Sequence, residues 1–132
     1  MNREQVVELL ESWGVRTPFR LEKEPGDGGR WQVLTRKPAR VVDGWLEGTQ
    51  IDVAWDMGGF RVWTSQRTVA KALAVEHGLK AHLLDGEAEV CVPGALADEL
   101  LPRFGAKYKR VVTEAMKQRL AKARQNSPVC RK

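Results

Sequence analysis

The sequence predicts an α+β fold: one mostly antiparallel sheet of about five to seven strands, three or four helices, and a basic helix at the C-terminal end. Three observations carry this. Short alternating runs of apolar and polar residues are separated by Gly and Pro turns. Helical periodicity returns between those runs and stops each time at a glycine, at Trp13-Gly14-Val15, His77-Gly78-Leu79 and Phe104-Gly105-Ala106. The third is a division of charge, with an acidic body and a basic end.

The chain has 132 residues, 42% of them apolar and 30% charged, with five tryptophans, a profile that excludes disorder and supports a real core. The expectation is a single domain over residues 1–125 and a flexible basic tail over 126–132. Cys91 sits in the apolar run Val90-Cys91-Val92 and Cys130 in the tail, and neither has a second thiol or a His at metal-ligand spacing. No apolar leader opens the chain and no run approaches the length of a membrane span, so the expected setting is cytoplasmic and reducing, with no membrane role.

The net charge is +5, unevenly placed. From Arg103 to Lys132 there are ten basic residues and one acid, Glu114, for +9; the rest has 12 basic against 16 acidic residues, for −4.

In chain order, Val6, Val7, Leu9, Leu10 and Trp13 mark a first helix over 3–13, with Asn2 and Gln5 placed for a capping box. Phe19–Lys23 and Arg30–Thr35 read as strands of a hairpin across the Gly-rich turn 24–29. Arg36–Arg40 is a basic loop, and Val41–Leu46 is strand-like, with Gly44 marking a bulge. The clearest signal is Gly48–Leu84. It reads as a strand to Trp55, a Gly58-Gly59 turn, a strand to Trp63, a helix capped by Thr64 or Ser65, and a strand from Leu79. A loop at Asp56–Gly59 would pair Trp55 with Phe60 and put Ile51, Val53, Trp55, Phe60 and Val62 on a core face. Gln50, Asp52, Ala54, Arg61 and Trp63 then share the other face. Asp85-Gly86 turns into the strand 87–92, Ala95–Phe104 is a third helix strained by Pro102, Ala106–Val112 a last strand, and Thr113–Arg124 a final helix. Residues 69–84 align with 96–111 at a constant offset, either because helix–strand turns share a glycine stop or because a unit was duplicated.

Catalytic signatures are absent from the sequence: it carries no GxGxxG, P-loop, HExxH or GxSxG. No cofactor, no catalytic residue and no metal ligand set is assigned. The basic features point elsewhere. Lys107, Lys109 and Arg110 precede the helix that carries Val112, Met116, Leu120 and Ala123 on one stripe and Lys117, Arg119, Lys122 and Arg124 elsewhere. Arg61 beside Trp63, followed by Arg67 and Lys71 at i, i+4 spacing, is an aromatic–basic set of the kind that stacks bases and meets phosphates. The expectation is a non-catalytic nucleic-acid-binding accessory protein, contacting DNA or RNA through these residues. The alternative is a protein-interaction module, a homo-oligomer or the partner of an acidic protein, in which the basic helix is a solvated face. The third option is a small metal-dependent hydrolase resting on Asp52 and Glu87.

Overall fold

A computed structural model describes residues 2–24 and 30–109, together with 118, 119, 121 and 122. The elements are α1 (Arg3–Ser12), β1 (Leu21–Lys23), β2 (Trp31–Val33), β3 (Arg40–Val42), β4 (Trp45–Glu47), β5 (Thr49–Ala54), β6 (Gly59–Thr64), α2 (Arg67–His77), β7 (Ala81–Leu84), β8 (Glu87–Pro93) and α3 (Ala97–Leu100). Turns of 3₁₀ helix, Gly94–Leu96 and Leu101–Phe104, flank α3. Among the described residues the fold is α+β: a six-stranded antiparallel sheet in the order β1-β2-β5-β6-β8-β7, a separate two-stranded ribbon β3-β4, and the three helices α1, α2 and α3.

Period-2 alternation decides which side of the sheet is covered. Ile51 pairs with Val62 and Val53 with Phe60 on one face, and Phe60 and Val62 pair with Val92 and Val90 on β8. These residues are all buried and join Val6, Leu10, Leu73, Leu100, Leu101 and Phe104 in one cluster. The core therefore lies between the sheet and the helices. Trp13, at the end of α1, meets Phe60 edge-on at 5.7 Å and 88°. Its Cβ lies where a side chain on Gly94 would have to go, so the chain can pass only as glycine. Three buried threonines at the sheet end are satisfied among themselves: Thr35 donates to the Thr49 carbonyl at 2.8 Å, and the Thr49 and Thr64 hydroxyls share a 2.8 Å bond.

The three glycine stops are one motif. Gly14, Gly78 and Gly105 all have positive φ, and the residue after each donates to a carbonyl five residues back: Val15 to Leu10, Leu79 to Ala74, Ala106 to Leu101. The capping box at Asn2 and Gln5 is present, with bonds of 2.9 and 2.8 Å.

Several expectations are corrected. Residues 41–46 are a hairpin, because Asp43 and Gly44 both take positive φ (52° and 81°) and form a two-residue turn matched to strand twist. The β5–β6 loop is 55–58, one residue earlier than expected, and the pairing register shifts by two, since Ala54 pairs with Gly59 and Val53 with Phe60; Trp55 falls in the turn and is 67% exposed instead of reaching the core. The N-cap of α2 is Gln66, with no side-chain cap; the Thr64 hydroxyl accepts the Gln66 N–H one position before the helix. The apolar stripe expected on α2 is Val69, Ala70 and Leu73 with Ala74 and Val75 beside them; Val75 faces solvent, leaving Ala70, Leu73 and Ala74 buried. Pro102 breaks the third helix into one α-turn between 3₁₀ turns. The expected strand at 106–112 begins as bridges at Ala106 and Tyr108, and its remainder from 110 lies outside the described residues. Of the expected helix 113–124, positions 118, 119, 121 and 122 are helical and exposed, and the others also lie outside.

Candidate nucleic-acid interface

α1, α2 and α3 pack on the core side, and among the described residues no helix covers the opposite face of the sheet. Register places residues in rows across it. Gln32, Asp52, Arg61 and Cys91 follow one another on β2, β5, β6 and β8, and Gln50, Trp63, Glu89 and His82 on β5, β6, β8 and β7. The centre of this face is mixed in charge. Arg61 Nε lies 3.4 Å from Glu89 Oε1, its Nη2 donates to the Met57 sulfur at 3.3 Å, and its guanidinium stands 5.8 Å from the Trp63 ring centroid. Asp52, the cross-strand partner of Arg61, is only 6% exposed and makes no ion pair with it among the described residues. Its carboxyl accepts one hydrogen bond, from the Gln50 side-chain amide at 3.1 Å. Burial pushes Asp52 above the ordinary carboxylate range; the Gln50 bond opposes this, Glu24 adds to it, and Arg30 and Arg61 oppose it.

The structure thus keeps Arg61 and Trp63 together and separates them from Arg67 and Lys71. Those two are exposed on α2, in the other layer, because Ala70, Leu73 and Ala74 turn α2 onto the core face. Of the four expected contacts, two lie on the sheet and two on the helix layer. Asp52 and Glu87 are also apart. Asp52 lies opposite Arg61, Arg61 opposite Cys91, and Glu87 is four residues further along β8, about 13 Å of strand. Among the described residues no three His, Cys, Asp or Glu side chains are grouped as a metal site.

A different cluster of cations forms where β1 and β2 part. Residues 105–109 wedge into this fork. Arg20 N–H donates to the Lys107 carbonyl at 2.9 Å, Lys107 N–H to the Leu34 carbonyl at 2.7 Å, and Leu34 N–H to the Arg20 carbonyl at 2.8 Å, closing a ring of three backbone bonds. Arg36 N–H donates to Gly105 and Lys109 N–H to Pro18, both at 2.9 Å, while Lys37 accepts the Thr49 N–H at 2.8 Å. Alternation then decides which side chains emerge. Phe19, Leu21, Thr35 and Ala106 are buried, so Arg20, Arg36, Lys37, Lys107 and Lys109 are left exposed, with Tyr108 43% exposed among them. Among the described residues none of these five cations has a carboxylate within 4.0 Å.

Lys107 and Lys109 were expected contacts; Arg20, Arg36 and Lys37 were not. The basic loop 36–40 is visible in the sequence, but only the three-chain register brings it to residues 107–109. Arg119 and Lys122 are exposed on helical positions, whereas Arg110, Lys117 and Arg124 lie outside the described residues. No described helix is long and apolar enough to cross a membrane.

Comparison with protein-family models, with curated proteins and with solved structures finds no match.

Proposed function

We propose that this chain binds nucleic acid, chiefly through phosphates, without catalysing a reaction on it. The reading rests on one observation: the fork collects Arg20, Arg36, Lys37, Lys107 and Lys109 on chain segments fixed by backbone bonds, with no acid partner among the described residues. Unpaired cations on a rigid frame attract a polyanion without first having to give up an ion pair. From the fork the chain runs directly into Arg110, Lys117, Arg119, Lys122 and Arg124, and a basic helix there would extend the same footprint. The Arg61 side chain does not belong to that footprint, since Glu89 already faces it.

Retardation of labelled DNA and RNA at low salt, lost by moderate salt, is the expected result. Absence of binding to both polymers at low salt contradicts the reading.

A second reading has its own support. Leu83 and Leu84 are exposed on the edge strand β7, and the Trp45 ring lies against Gly86 in the adjoining turn, an apolar strip that suits a protein partner or a second copy of the chain. Light scattering separates the two: a dimer that Leu84→Lys dissociates, in a chain with no affinity for nucleic acid, favours the second reading.

A further inference from the structure

We propose that the cleft around Asp52 and Arg61 on the open sheet face is a subsite for a single unpaired guanine base. This deepens the nucleic-acid reading and rests on it for the source of the base, though not for the chemistry of the cleft.

The cleft measures about 330 Å³ and is lined by Arg30, Asp52, Ala54, Trp55, Arg61 and Trp63, with Val53 and Asp56 completing it. That is at the small end of the roughly 300–1,000 Å³ that ligand pockets occupy. Ala54, register partner of Gly59, gives it a shallow floor on which a flat ring can lie. Trp55 and Trp63 supply aromatic surface, and stacking on tryptophan is how unpaired bases are held.

The polar groups select among the bases. Asp52 and Arg61 sit side by side on adjacent strands and do not bond each other. Among the described residues the Asp52 carboxyl accepts one hydrogen bond, from Gln50, so most of its lone pairs are unspent there. Arg61 Nε is buried and faces Glu89 at 3.4 Å without a hydrogen bond among the described residues, and its Nη2 is given only to a sulfur, a weak acceptor, so the guanidinium keeps donors to offer. A carboxylate beside a guanidinium offers two acceptors next to a donor. The Watson–Crick edge of guanine presents two N–H donors, at N1 and N2, next to the O6 acceptor. Adenine and cytosine each present one donor group on that edge, and uracil or thymine places its single N–H between two carbonyls. Guanine alone uses both carboxylate oxygens and the cation together.

The site also connects to the fork. Arg20, Leu34, Gln50 and Trp63 lie in one row across β1, β2, β5 and β6, and three interstrand steps span about 14 Å. A strand held by its phosphates at Arg20 and Lys107 can therefore lay a base near Trp63.

The test is quenching of tryptophan fluorescence in the full chain. The probes are guanosine, inosine and adenosine monophosphates, and thymidine oligomers with and without one internal guanosine. Guanosine monophosphate should quench; inosine, which lacks the 2-amino group, should bind about tenfold more weakly. Asp52→Asn keeps the shape and should erase that tenfold preference, while its melting temperature shows that it is folded. In the oligomers the guanosine should raise affinity in the wild type and have no effect in the variant. The double variant Lys107→Ala/Lys109→Ala should weaken the oligomers and leave guanosine monophosphate unchanged. Failure of the unmodified chain to bind the oligomers while guanosine monophosphate still quenches therefore counts against the phosphate surface and not against the cleft. Equal quenching by all three mononucleotides, no quenching by any, or an unchanged preference in Asp52→Asn overturns the proposal.

Discussion

Asp52 and Asp98 are two aspartates treated in opposite ways by their surroundings. Asp98 lies at the start of α3, and its carboxylate receives the Arg16 N–H at 3.0 and 3.1 Å and the Thr17 N–H at 2.8 Å, fastening the segment after α1 to the far end of the chain. Partial desolvation pushes its pKa up, but the bonds from Thr17 and Arg16 outweigh it and hold the carboxyl below its ordinary value. The stabilisation is thus complete above the ordinary carboxylate value of 3.8 and is lost as pH falls through the lowered one. Asp98→Ala should cost about 1–3 kcal/mol in urea unfolding at pH 7, and much less at pH 2. Asp52 has the reverse sign. Its raised pKa means that the folded state favours the proton, so its contribution is full below 3.8 and is lost as pH rises through the raised value. Asp52→Asn should therefore raise the melting temperature by a few degrees at pH 7 and change it little at pH 3.

At the scale of elements, most of the sheet is legible because one face is buried. Alternation in 49–54 and 59–64 assigned faces correctly even though the cross-strand register differs by two residues, since a shift of two preserves parity. Trp55 escaped because its position was fixed by the turn and not by the pattern. The β3–β4 hairpin is written in Val41–Leu46, because Asp43-Gly44 between two apolar pairs is a two-residue turn signal and Asp tolerates positive φ; reading Gly44 as a feature within one strand misses it. The aligned stretches 69–84 and 96–111 share a glycine stop and then diverge. Ala81–Leu84 forms one edge of the sheet, while 106–109 enter the fork beside β1 at the other edge. A common helix stop accounts for the likeness at that glycine. Gly48 marks a tighter constraint. It has φ +96°, and a Cβ there would meet the Pro38 and Lys37 carbonyl oxygens at 2.5 and 2.7 Å. Gly48→Ala should destabilise by about 2 kcal/mol or more, measured by chemical unfolding, whereas Gly78→Ala, with open space around it, should cost about 1 kcal/mol for backbone strain alone.

For the whole molecule, charge and topology work together. The sequence shows a basic C-terminal end, but its first residues are not a free tail: 105–109 are built into the sheet by bonds to Pro18, Arg20, Leu34 and Arg36. This moves the focus of positive charge from one linear segment to a junction of three, and it draws in Arg20, Arg36 and Lys37, which lie some seventy to ninety residues earlier. Arg67 and Lys71 drop out for the converse reason, since the helix that carries them packs in the other layer. Sequence patterns report neighbours along a helix or strand, and the fork depends on contacts between distant segments that no local period encodes. The salt dependence of oligonucleotide affinity tests the central claim most directly, compared between wild type and Arg36→Ala/Lys107→Ala. If both side chains meet phosphates, the slope of log K against log salt should become shallower by about 1.4–1.8, with affinity reduced alike for every sequence. An unchanged slope in a folded double variant would contradict the account.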